Sequence, residues 1–208
     1  MSYDPLEYHP RHYSMDELQQ QIREGIVLQG FAIRHVLSDG IHPPFSYTVG
    51  LYEAHAPFPE LVISGLSMVT RNGFLLQLGY AMKGPPSPQV RRAMAQELGV
   101  RKKDLRIPSG GIRLSPGKIY RQFTGNGLPM CFAQVEQRYY LDLFGQAVVF
   151  HGHEHFPVFQ MVWSDRQGIF PWAPSYERGP RFKQQLFFDP WTSLPHLVEK
   201  DTPSTKAR

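Results

Sequence analysis

Cysteine is nearly missing from these 208 residues: Cys131 stands alone. That excludes an intrachain disulfide and fits a reducing, cytoplasmic setting. No apolar run approaches the roughly 20 residues that a helix needs to cross a bilayer. The opening stretch, MSYDPLEYHPRHY, lacks the apolar centre of a secretory signal. A membrane is therefore not among the expected partners. Familiar chemical motifs are missing too. There is no G-x-S-x-G nucleophile elbow and no G-x-G-x-x-G dinucleotide fingerprint. The stretch GGIRLSPGKIY resembles a phosphate loop, but five residues separate Gly111 from Gly117 where the motif needs four. Ile119 also stands where Ser or Thr is required.

What is present describes a folded chain. Hydrophobic residues make up 41% and aromatic residues 13%, enough for a packed core. The 19 prolines and 18 glycines imply short elements and many turns. SMDELQQQIREGIVLQG predicts a helix, with Ser14 and Glu17 as a capping box, Gly30 as its stop and Met15, Leu18, Ile22 and Ile26 as an apolar stripe. SMVTRNGFLLQLGYAMKG predicts a second, capped by Ser67, stopped by Gly84 and buried through Val69, Phe74, Leu75, Leu78 and Met82. SPQVRRAMAQELG offers a short helix. QRYYLDLFGQAVVFHG offers another, through Tyr140, Leu143, Phe144 and Ala147. FAIRHVL, FSYTVGLY, ELVISGL, PMCFAQVE and FPVFQMVW read as strands. This order predicts an α+β fold, a two-layer arrangement with helices packed on a mixed sheet. Residues 1–13 read as an N-terminal arm, 14–176 as a single domain with a basic insertion at 84–128, and 177–208 as an extended C-terminal tail.

Four features bear on function. HGHEHF places His151, His153 and His155 at alternate positions, in a segment read as a helix-to-strand loop. A metal needs three or four converging ligands, so this run would need help from distant residues such as His35, His42 or His55. A solvated, histidine-rich loop is the simpler reading. Positive charge concentrates in residues 91–121, where nine basic residues face two acidic ones, a net of +7 against +4 for the whole chain. Arg91, Arg92, Arg101, Lys102, Lys103 and Arg106, with aromatic residues nearby, are candidate contacts to nucleic acid or an acidic partner. VWSDRQGIFPW sets Trp163 and Trp172 about a turn signalled by Asp165 and Gly168, which suits an aromatic clasp or a pocket wall. The carboxylates Glu53, Glu60 and Asp165 are far apart in sequence, and only folding could pair them for acid–base work.

Two blocks, PFSYTVGLYEAHAPFPELVISGLS and VFQMVWSDRQGIFPWAPSY, resemble the signatures of a bacterial family known as domain of unknown function 4262. The matching positions are Tyr47 to Leu51, Pro59 to Leu61, Gly65 to Leu66, Val162 to Asp165 and Phe170 to Trp172. The likeness covers roughly residues 14–83 and 129–176. The arm, the basic insertion, the tail and the histidine run depart from it. The resemblance implies no reaction and no cofactor.

Three functions are consistent with these residues. The first is a cytoplasmic binding module, whose small-molecule pocket is formed by both blocks through Tyr47, Thr48, Glu60, Trp163, Asp165 and Trp172. The second is an enzyme using Glu60 or Asp165 as acid or base in that pocket, with a histidine beside it. The third is an interaction protein that binds nucleic acid or an acidic partner through residues 91–121.

Overall fold

The computed structural model describes residues 14–40, 42–53, 56–84, 87–97, 101, 110–121, 123, 127–177 and 184–201. In chain order the elements are α1 (Met15–Gln29), β1 (Ala32–Val36), β2 (Phe45–Val49), β3 (Tyr52–Glu53), β4 (Ala56–Pro57), β5 (Glu60–Ser64), α2 (Met68–Lys83), α3 (Pro88–Glu97), β6 (Ile119–Tyr120), β7 (Met130–Gln134), α4 (Tyr140–His151), β8 (Val158–Trp163), α5 (Pro190–Ser193) and α6 (Pro195–Asp201). Local chemistry sets the helix ends. Ser14 and Glu17 form the reciprocal capping box, and Gly30 closes α1 in the left-handed conformation. Ser67 caps α2.

Six strands form one mixed sheet in the order β1-β2-β5-β8-β7-β6, and β3 pairs with β4 in a separate hairpin. Only β5 and β8 are parallel, with Glu60 opposite Val158. The α+β class and the mixed sheet match the sequence reading; the layering does not. Leu61, Ile63, Phe159 and Met161 point to the side packed by Leu75, Leu78 and Met82 of α2. Val62 and Val158 point the other way, toward Ile22 of α1 and Phe144 and Ala147 of α4. Helices therefore cover both faces and make three layers rather than two. The reason is visible in β5, where all five residues are buried. A strand without a solvent face needs a layer on each side.

Two segments read as peripheral belong to this core. Within residues 84–128, β6 joins the sheet, and Leu114, Tyr120 and Phe123 pack on the α2 side. The Tyr120 ring meets Phe132 edge-on at 5.4 Å. Within residues 177–208, Phe187 is fully buried against Phe45 and Phe144. Buried Gln160 grips this segment through Gln185 O at 2.6 Å and Phe187 N at 2.7 Å. Buried amides that satisfy backbone groups fix one register for a segment whose apolar content alone would allow several.

The α2 stripe runs through Arg71, Leu75, Leu78 and Met82, with Val69 left 80% exposed. Arg71 is buried, and among the described residues it has no carboxylate partner. Its Nε donates to Ser46 Oγ at 2.8 Å, and Nη1 donates to the carbonyls of Gly65 (3.0 Å) and Leu66 (2.7 Å). Leu66 has a φ of 59°, so the arginine holds a turn that costs a leucine conformational energy. Ser46 Oγ also lies 2.7 Å from His35 Nδ1. Partial burial, and then the Arg71 and Arg34 charges, hold the His35 pKa below its ordinary 6.5. As pH falls, the unfolded chain takes up this proton first. The associated stability is complete above about 6.5 and is lost as pH drops through the folded-state value. We expect the urea midpoint to fall between about pH 8 and about pH 5, and His35→Gln to flatten that fall.

Candidate functional site

The β2–β3 junction, the start of β5 and the end of α4 meet around one carboxylate. Glu60 is 1% exposed and accepts four hydrogen bonds. Thr48 Oγ1 donates to Oε2 at 2.6 Å. Oε1 receives the Gly50 N–H at 2.7 Å, the Tyr52 N–H at 3.1 Å and His151 Nε2 at 3.0 Å. Thr48 Oγ1 accepts in turn from Leu61 N at 2.8 Å. Gly50, at φ 95°, makes the tight turn that aims its own N–H and that of Tyr52, two residues on, at one oxygen. Its carbonyl is held by Lys83 Nζ at 2.8 Å, which also takes the Gly30 carbonyl at 2.7 Å. The Gly50 and Tyr52 N–H groups can only donate, and the Thr48 hydroxyl donates as well, so the network suits a carboxylate.

The carboxylate also sets the histidine tautomer. Nε2 carries the proton that Glu60 accepts, which leaves Nδ1 as the second ring nitrogen. Nδ1 has no hydrogen-bond partner among the described residues. One edge of the ring is therefore anchored, and the other is left without a hydrogen bond among them. The side chain is 7% exposed. It packs against Phe156 at 4.6 Å and edge-on to Tyr52 at 5.5 Å.

His151 ends α4 on the buried stripe of Tyr140, Phe144 and Ala147. The spacing of that stripe, continued by four residues, is the sequence signal that separates it from its neighbours. His153 and His155 are exposed beyond Gly152. The three rings are roughly stacked, with centroids 6.2 and 6.1 Å apart. Imidazole lone pairs lie in the ring plane, so stacked rings aim them side by side rather than at one point. Among the described residues no group of three or more His, Cys, Asp or Glu could hold a metal ion.

The two sequence blocks do not meet in one pocket. Glu60 pairs with Val158 at the start of β8. Trp163 lies five residues on, roughly 17 Å away at about 3.3 Å per residue. Trp163 packs on the α2 side, whereas Trp172 packs with Val162 and Phe170 on the other. Two-residue alternation along β8 is the cause. Trp172 stacks on Phe170 at 4.8 Å. Asp165 organises its own turn: Oδ1 accepts from Gln167 N and Ile169 N, and Oδ2 from Glu177 N. Tyr47 sits in the α4 layer, edge-on to Phe144 at 5.2 Å, and burial raises its pKa. Of the basic candidates, Arg91 and Arg92 lie on α3, and Arg101 is exposed. Lys102, Lys103 and Arg106 lie outside the described residues, as does His55.

Residues 103–177 match the family described as Domain of unknown function (DUF4262). The resemblance read from the sequence is thus shown over a stretch that contains β6, β7, α4 and β8, and with them His151 and Asp165. Thr48 and Glu60 lie outside the match. Neither the curated proteins nor the solved structures contain a match to this chain. No helix among the described residues is long and apolar enough to cross a membrane.

Proposed function

We propose that this chain, similar over residues 103–177 to a family of unknown function, carries a proton-transfer site centred on His151. Glu60 is the orienting carboxylate, and Nδ1 is the working nitrogen. The observation that carries the reading is the two-sided setting of the ring: Nε2 is bound to a buried carboxylate, while Nδ1 has no hydrogen-bond partner among the described residues and the side chain keeps 7% exposure. A carboxylate in that position holds the tautomer and stabilises the imidazolium that forms when the other nitrogen takes a proton. A small polar ligand would approach over His153 and Tyr52. A buried Glu–His contact that serves folding alone predicts the same bond but no reactive nitrogen.

The test separates the two. Nitrogen-15 spectra of the histidine rings should show His151 protonated at Nε2 near neutral pH. Diethyl pyrocarbonate, which acylates accessible neutral imidazole nitrogen, should modify His151 as well as His153 and His155, as read by peptide mass. Glu60→Gln should alter the His151 spectrum without changing the other two. A ring protonated at Nδ1, or a His151 that stays unmodified while its neighbours react, would overturn the proposal.

A further inference from the structure

The sheet ends on β1. Among the described residues β2 is its one strand neighbour. No hydrogen bond from outside the sheet reaches the backbone of Ala32–Val36 among those residues. Five residues of open edge are enough to template another strand, and unprotected edges of this kind pair readily. The opposite edge is β6, which is only two residues long.

A hollow of about 330 Å³ borders this edge. Gln21, Gly25 and Gln29 of α1 line one side, Asn72 and Leu76 of α2 the other, and Ala32, Ile33 and Arg34 lie between them. The two outer layers thus wall a groove whose floor is strand edge. Its polar lining is amide and guanidinium, without a carboxylate. Arg34 gives Nη1 to Gln21 Oε1 at 3.1 Å. Its Nε is buried and has no hydrogen-bond partner among the described residues. An unsatisfied guanidinium N–H costs stability until an acceptor arrives. The positive field is shared, since Arg34 and Arg71 both act on neighbouring His35.

We propose that β1 is a strand-addition site for an extended acidic peptide segment of a partner. Its backbone would pair with the β1 edge, and one of its carboxylates would meet Arg34. Strand addition draws affinity from main-chain hydrogen bonds and specificity from side-chain contacts. Charge selects this occupant over a second copy of the chain. A two-fold antiparallel pairing centred on β1 sets Arg34 against Arg34, and like charges directly opposite are destabilising. The site is independent of the one at His151.

The probe is the synthetic peptide acetyl-Val-Glu-Val-Glu-Val-amide, titrated into the full nitrogen-15-labelled chain. Saturable shifts should appear at the Ala32–Val36 amides and at the side-chain amides of Gln21 and Asn72. The lysine counterpart, acetyl-Val-Lys-Val-Lys-Val-amide, should leave them in place. Arg34→Glu should weaken the glutamate peptide by about tenfold or more, and Arg34→Gln serves as the variant that keeps a polar side chain there. Three results would overturn the proposal. They are the same affinity for both peptides, no β1 shift up to about 1 mM peptide, or concentration-dependent dimerisation of the free chain through β1.

Discussion

Replacing Glu60 with alanine is expected to lower the thermal midpoint by about 10 °C. The carboxylate satisfies the Gly50 and Tyr52 N–H groups, the Thr48 hydroxyl and His151 Nε2 within an almost fully buried site. Truncation leaves all four facing a cavity, and each buried unsatisfied donor costs about 1–3 kcal/mol. Partial relaxation and entering water reduce the sum to about 3–5 kcal/mol. For a chain of this size each kcal/mol moves the midpoint by about 2–4 °C. Glu60→Gln should cost less, about 1–2 kcal/mol. Its oxygen can keep the side that faces Gly50, Tyr52 and His151, while its amide turns toward Thr48 Oγ1. Calorimetry of both variants checks the ordering. An alanine variant as stable as the glutamine one would mean that water serves these donors equally well.

Gly79→Ala in α2 should also destabilise, by about 2–3 kcal/mol, although alanine is the better helix former by about 1 kcal/mol. A Cβ built at Gly79 falls 2.6 and 2.8 Å from two atoms of the Phe31 ring and closer still to Cζ. Phe31 is fully buried, so its ring has no room to withdraw. Gly73, in the same helix, provides the control: a Cβ there meets nothing within 4 Å. Gly73→Ala should therefore stabilise by about 0.5–1 kcal/mol. Adding Phe31→Leu to Gly79→Ala should recover part of the loss. The double variant would then fall short of the summed single effects by about 1 kcal/mol. Additive effects in urea unfolding would contradict this packing.

The sequence was most readable where neighbouring residues act on one another. Ser14 and Glu17 are three residues apart, and their capping box needs nothing from the rest of the chain. Gly30 and Gly152 end helices for reasons local to the backbone. The five main strands were legible because β-branched and aromatic residues bounded by turn signals mark them without reference to partners. Site reading fell short for a specific reason. The stripes of α2 and α4 share one spacing, Arg71-Leu75-Leu78-Met82 and Tyr140-Phe144-Ala147-His151, and each carries a polar residue at one end. A search for apolar periodicity passes over that residue, yet its burial is what makes it chemically distinctive.

Element type, helix ends and the capacity to bury a core were determined by the sequence itself, because they follow from backbone conformation and composition within a few residues. Tertiary structure decided the rest. It put helices on both faces of the sheet, drew Leu114, Tyr120, Phe123 and Phe187 into the core, and separated Trp163 from Glu60 along parallel strands. It also brought His151 to a carboxylate 91 residues away in the chain. Hydrogen bonds across such a separation depend on the strand order and register of the sheet. No local pattern encodes them, and the candidate site exists only in the assembled fold.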